Sequence, residues 1–220
     1  MSGMAGGLAM LPRMKERAEL EATGPELASH VDGFVDVLLS VLVFRNPTIE
    51  GVSFLVRHGT GSQRPDGASA EKLRTCYLFE LACYQLSALD AWHPEHGLER
   101  LRDTIFRAVI LPRFFSIFDL PNHIINLEEI VVSRMEAYHQ LAVKSPADVR
   151  SYFMQAVIGS TFGGGPRVEA YTPDYSLISE NMVLAMAALS DLTAFATGRL
   201  PLCYGALGSF YTRLYSSTSR

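Results

Sequence analysis

The sequence predicts an all-α fold, a compact irregular bundle of several helices with two Gly-rich loops. One observation behind this is a repeated start signal. In Thr23-Gly24-Pro25-Glu26, Asn46-Pro47-Thr48-Ile49-Glu50, Ser145-Pro146-Ala147-Asp148 and Thr172-Pro173-Asp174, a Gly or small polar residue precedes Pro, and an acid follows. The leading residue suits an N-cap, the preset φ and missing N–H of Pro suit the first helical position, and the acid meets the positive helix end. A second observation is apolar spacing of three and four in the segments after these starts. A third is the absence of an alternating strand–helix pattern.

Residues 1–24 read as a loosely specified arm, and its apolar piece at 8–12 is too short for a secretory core segment. The first helix is expected over 25–44, with Val31, Phe34, Val35, Leu38, Leu39 and Leu42 in helical register. A short helix over 47–58 ends at Gly59, and the first Gly-rich loop covers 59–69. Over 70–90, Leu73, Cys76, Tyr77, Leu78, Phe79, Leu81, Leu86 and Leu89 point in nearly every direction, which predicts a helix buried on most sides.

Residues 91–96 read as a connection, and 97–111 as a helix interrupted by Pro112. Apolar turns follow to Leu120. Asn126-Leu127-Glu128-Glu129 resembles a capping box opening a helix to 143, with a start at Asn122 as the alternative, and Ser145-Pro146 opens another to 159. The second Gly-rich loop, 159–171, contains Gly163-Gly164-Gly165-Pro166. A long helix over 173–197 gives way after Pro201 to an aromatic tail. The domain reading is an arm over 1–24, a helical domain over 25–200 and a tail over 201–220.

The chain has 220 residues, 48% hydrophobic and only 19% charged, a balance that suits burial against a protein partner. A net charge of −4 with no clustered Lys or Arg excludes nucleic acid as the main ligand. No apolar run reaches the roughly 18 to 20 residues needed to span a bilayer. A peripheral membrane position stays open. Cys76, Cys83 and Cys203 are odd in number and lack paired short spacing, so neither a disulfide framework nor a zinc knuckle is indicated. An intracellular reducing compartment is expected.

Several residues carry chemistry worth testing. Phe54-Leu55-Val56-Arg57-His58-Gly59-Thr60 resembles the opening motif of the histidine phosphatase superfamily. The resemblance implies His58 as phosphorylated nucleophile, Arg57 as phosphate clamp and Arg64 as a second clamp. The family also needs a second His on a later strand, and the alternative is a helix ending in Arg57-His58. Glu136-Ala137-Tyr138-His139 has the Glu-x-x-His spacing of metal-binding bundles, but Glu136 and His139 fall largely outside the stripe of Leu127, Val131, Met135, Tyr138 and Ala142. A solvated face is the alternative. His93-Pro94-Glu95-His96 offers two imidazoles and a carboxylate, weighed against ordinary surface histidines.

Glu80 is surrounded on the helical projection by Leu73, Cys76, Tyr77, Cys83 and Tyr84, so its carboxylate must be paired or protonated. Arg107 or Arg113 is the expected cation, and the site is either a structural ion pair or the polar point of a cofactor pocket. Phe210, Tyr211 and Tyr215 are expected to anchor a partner, or else to complete the intrachain core. The functional expectation is a non-catalytic helical interaction or scaffold protein, an accessory subunit of a larger assembly that needs no cofactor. The alternatives are phosphoryl transfer centred on His58 and a small-molecule- or cofactor-binding bundle.

Overall fold

The computed structural model describes residues 25–42, 67–116, 127–159, 173 and 175–217. Among them the chain is all-α: helices follow one another with no strand. Helix α1 is Pro25–Val41 and α2 is Gly67–Glu95. Helix α3 opens as one turn at Glu99–Leu101, widens into a π-helical ladder over Arg102–Ile110, and closes as α-helix over Leu111–Phe115. Then come α4, Leu127–Lys144; a 3₁₀ turn, Pro146–Asp148; and α5, Val149–Gly159. Helix α6 is Tyr175–Glu180, α7 is Met182–Ala194 with a π-helical turn at Phe195–Arg199, and α8 is Leu200–Ser217. The 47–58 helix falls outside the described residues, as do both Gly-rich loops except at their edges: Gly67–Ser69, expected as the end of the first loop, is already the first turn of α2, and Gly159 is the last residue of α5.

The chain divides into two compact units. One combines α1, the end of α2 from Ala88, α3 and α8. In it α1 packs against α8 and α3, with the Phe34 and Phe210 rings tilted at 4.7 Å between centroids. The other combines α2 up to Ser87 with α4 to α7. Here α5 packs against α4, α6 and α7, and Tyr77 meets Phe153 edge-on at 5.2 Å.

Helix α2 runs through the expected connection at 91–96. Pro94 sits in its last turn and removes the N–H that the Asp90 carbonyl would otherwise receive. Imidazoles of that turn reach its carbonyls: the His93 Nδ1–H donates to the Leu89 carbonyl at 2.8 Å and lies 3.3 Å from that of Asp90, and His96 Nδ1 reaches the Trp92 carbonyl at 2.7 Å. Gly97 then closes the helix with φ +68. The Leu98 N–H bonds to the His93 carbonyl at 2.8 Å and the Gly97 N–H to that of Pro94 at 3.1 Å, a Schellman arrangement with buried Leu98 as its apolar plug.

The other two prolines act differently from expectation. Pro112 does not interrupt α3; ahead of it the ladder has widened, and the Leu111 N–H bonds five residues back to the Phe106 carbonyl. Pro201 does not end its helix either: it sits at the second position of α8, directly after the π-helical turn Phe195–Arg199. The expected aromatic tail is therefore a helix. The long helix expected over 173–197 breaks at Asn181, whose carbonyl accepts the Ala185 N–H at 2.9 Å and starts α7 afresh.

Two glycines test this backbone reading with opposite signs. Gly97→Ala forces a Cβ into left-handed backbone and should cost about 1–2 kcal/mol. Gly205→Ala, exposed inside α8 with nothing within 4 Å of the new Cβ, should raise stability by about 0.5–1 kcal/mol. Urea denaturation midpoints of the two variants check both.

Candidate functional site

The densest polar cluster lies in the second unit, around Glu80. Helix α2 must present apolar side chains on most faces, and Tyr77, Glu80 and Tyr84 recur at three and four residues along one of them. Glu80 is almost wholly buried. Its Oε2 accepts the Tyr138 hydroxyl at 2.9 Å, and its Oε1 lies 3.0 Å from Arg134 Nε. That contact has ion-pair distance without hydrogen-bond alignment, for Arg134 Nε has no hydrogen-bond partner. The guanidinium instead donates from Nη1 to the Tyr152 hydroxyl at 3.0 Å, and its carbon sits 6.0 Å from that ring's centroid.

Burial raises the Glu80 carboxyl above the ordinary value, opposed by the Arg134 charge and the Tyr138 hydroxyl. Arg134 is also desolvated, yet the adjacent Glu80 carboxylate moves it upward and keeps it charged. Burial raises Tyr138 too, with the Glu80 charge adding to it. The Cys83 thiol, one turn from Glu80, is pushed well up by burial and then by that carboxylate, so it is not a reactive thiolate. Rings enclose the group: Tyr138 meets Tyr152 edge-on at 5.2 Å, and Tyr84 meets Tyr138 and Phe195 at 5.7 and 5.8 Å. Beside it, the Tyr77 hydroxyl donates to buried Asp191 at 2.6 Å.

The expected cations for Glu80 are elsewhere. Arg107 grips Asp90 through a two-bond fork, Nε to Oδ1 at 2.7 Å and Nη2 to Oδ2 at 2.6 Å, and Arg113 pairs with Asp32 at 2.6 Å on the surface. Arg134 was missed because an arginine on a helix face reads as solvated. Its register is the available signal: it stands three residues after Val131 and four before Tyr138, inside the buried stripe. With both Glu80 oxygens and the Arg134 head engaged by protein groups, the geometry is that of an internal ion pair.

A second polar centre lies in the other unit. His93 is fully buried, and its Nδ1 faces carbonyl oxygens, which only accept, so the proton resides there. Nε2 therefore accepts the Tyr211 hydroxyl at 2.7 Å. Burial, the largest influence, lowers the His93 pKa to about 4, against the raising effects of the Leu89 carbonyl and Asp90. Phe106, from the π-helical stretch, covers the imidazole at 4.8 Å. His96 stacks on Trp92 at 4.1 Å. Both His93 nitrogens are occupied, so the expected two-imidazole ligand set is replaced by a helix end and a core bond.

Glu136 and His139 both lie on the exposed face of α4. Among the described residues no group of three or more His, Cys, Asp or Glu is placed to hold a metal ion. Phe210 and Tyr211 are buried within the chain, the former against Phe34 and the latter on His93, so neither offers surface to a partner. The Tyr215 side chain and His58, Arg57 and Arg64 lie outside the described residues. No helix is long and apolar enough to cross a membrane among the described residues. Neither a family model, nor a curated protein, nor a solved structure matches the chain.

Glu80→Ala strands a buried guanidinium and should cost about 3–5 kcal/mol, whereas Glu136→Ala on the exposed face should cost about 0.5 kcal/mol or less. Chemical denaturation of both variants reads the difference. For His93, the unfolded chain takes up a proton below about pH 6.5, while the folded chain resists until about pH 4. Its contribution to stability is thus complete above pH 6.5 and falls by about 3 kcal/mol as the pH drops to 4. The wild-type minus His93→Gln difference in unfolding free energy, measured across that window, should show this slope; a flat difference contradicts it.

Proposed function

We infer that the chain is a non-catalytic helical interaction protein, an accessory or scaffold subunit that engages its partner through one face of α7. The observation that supports this most is the stripe of Met182, Met186 and Leu189, which are 54%, 56% and 39% exposed at spacings of four and three. Large apolar side chains scattered singly on a surface need no explanation, but three in helical register form a contiguous strip. Two of them are methionines, whose unbranched, polarisable side chains adapt to a partner's contours. Around them Ser190, Thr193 and Ala194 are exposed and uncharged.

The polar clusters support the same reading. Glu80, Arg134, His93 and Asp191 are buried with intrachain partners, which suits a role in holding the scaffold. Helix α7 is held from beneath by buried Ala185, Ala188 and Leu192 and by the bond from Tyr77 to Asp191, so its outer face is presented on a fixed element. An interaction surface on a rigid helix loses little conformational entropy on binding.

The test compares the native mass of the protein extracted under mild conditions with that of the Met186→Glu, Leu189→Glu double variant. The variant should leave the assembly and run at lower mass, with unchanged helical circular dichroism and an unfolding free energy within about 0.5 kcal/mol of wild type, as for a surface change. An assembly of unaltered mass would falsify the reading.

A further inference from the structure

We propose that the α7 face pairs with the same face of a second copy of this chain, the two helices antiparallel about a two-fold axis passing between Met186 and Leu189. This rests on the reading of α7 as the docking surface and adds the partner.

The first argument is charge. From Asn181 to Gly198 no exposed residue is ionisable, and the single acid of that stretch, Asp191, is buried and bonded to Tyr77. A partner helix with the usual charged positions would desolvate them against a surface that offers no counter-charge. A second copy of the same uncharged face brings no such cost. It also juxtaposes no like charges, the ordinary obstacle to pairing identical surfaces.

The second argument is register. Met182, Met186, Leu189 and Thr193 are separated by four, three and four residues, the alternation of core positions in a two-helix seam. Over α7 this seam extends for about 16 Å at 1.5 Å per residue. In antiparallel pairing, Met186 of each copy lies opposite Leu189 of the other, and Met182 opposite Thr193. Met186 and Leu189 therefore occupy the centre, and at each rim Met182 meets the smaller Thr193. Antiparallel alignment also sets opposite ends of the helix dipoles side by side.

The third argument is size. Four side chains from each copy form a contact well below the roughly 800 Å² per partner of a standard interface. The pairing is accordingly weak and reversible.

Sedimentation velocity of the purified full-length chain from about 1 to about 200 µM should show a mass rising from monomer towards dimer with concentration, as a weak interface requires. Met186→Glu and Leu189→Lys should each weaken self-association at least about tenfold, since each places a charge in the seam without a counter-charge. The decisive measurement mixes these two variants. In the antiparallel arrangement the altered position of one copy faces the altered position of the other, so the mixture should regain a dimer that neither variant forms alone. A wild-type chain monomeric throughout, or no recovery on mixing, overturns the proposal. Wild-type protein that stays monomeric but sediments with neutral phosphatidylcholine vesicles, with Met186→Glu remaining free, assigns the face to a lipid surface and also overturns it. If the purified chain is monomeric while its native assembly still requires Met186 and Leu189, self-pairing fails and the interaction reading stands; if the native assembly is indifferent to both residues, both fail.

Discussion

A carboxylate inside a helical core constrains everything packed around it, and Glu80 imposes that constraint on the second unit. Removing an ion from water costs several kcal/mol unless a counter-ion and hydrogen bonds replace the solvent. Helix α4 supplies Arg134 and Tyr138, and α5 supplies the Tyr152 hydroxyl that occupies the guanidinium. Each contact has one geometry, so a turn's slip of α4 along α2 would leave two buried charges unpaired. Apolar packing alone tolerates such slips far better. Burial outweighs the stabilisation from Arg134 and Tyr138 and raises the Glu80 pKa, and a buried pair of this kind adds little net stability over an apolar replacement.

The first unit meets a similar problem with a neutral group. Pro94 deprives the end of α2 of a donor, His93 turns its ring to the carbonyls of that turn, and the remaining imidazole nitrogen then requires a donor of its own. Tyr211 provides it from α8, near the end of the chain. The Tyr211 bond ties a helix more than a hundred residues later in sequence to the end of α2. Among the residues so committed are Phe210 and Tyr211, which is why recognition is better sought on α7, whose core contacts lie beneath it and whose outer residues lack charge.

Much of this was legible from local patterns. The cap, proline and acid signals place the starts of α1 and of the turn into α5, and the all-round apolar character of α2 announces its burial. Glu80 was visible as a residue needing a partner. Arg134 was not, because its pairing spans 54 positions and helical projection alone does not say which of several arginines folds inward. The register of α4 does place it between Val131 and Tyr138, so burial of that stripe carried the clue. The prolines misled most: Pro94, Pro112 and Pro201 read as breaks, yet Pro94 lies in the last turn of a helix, and Pro112 and Pro201 each follow a stretch where the helical ladder widens. The uncharged outer face of α7 was legible only as general apolar excess, since sequence does not reveal which apolar stripe remains uncovered.

The most direct test of the Glu80 constraint is a double-mutant cycle over Glu80→Ala, Arg134→Ala and their combination, read by equilibrium denaturation. Each residue is costly to remove because it abandons the other as an unpaired buried charge. The double variant should therefore lose much less than the sum of the single losses, with a coupling of about 2 kcal/mol or more. Additive losses would show that each side chain acts through its own packing, and that the ion pair does not set how the unit is assembled.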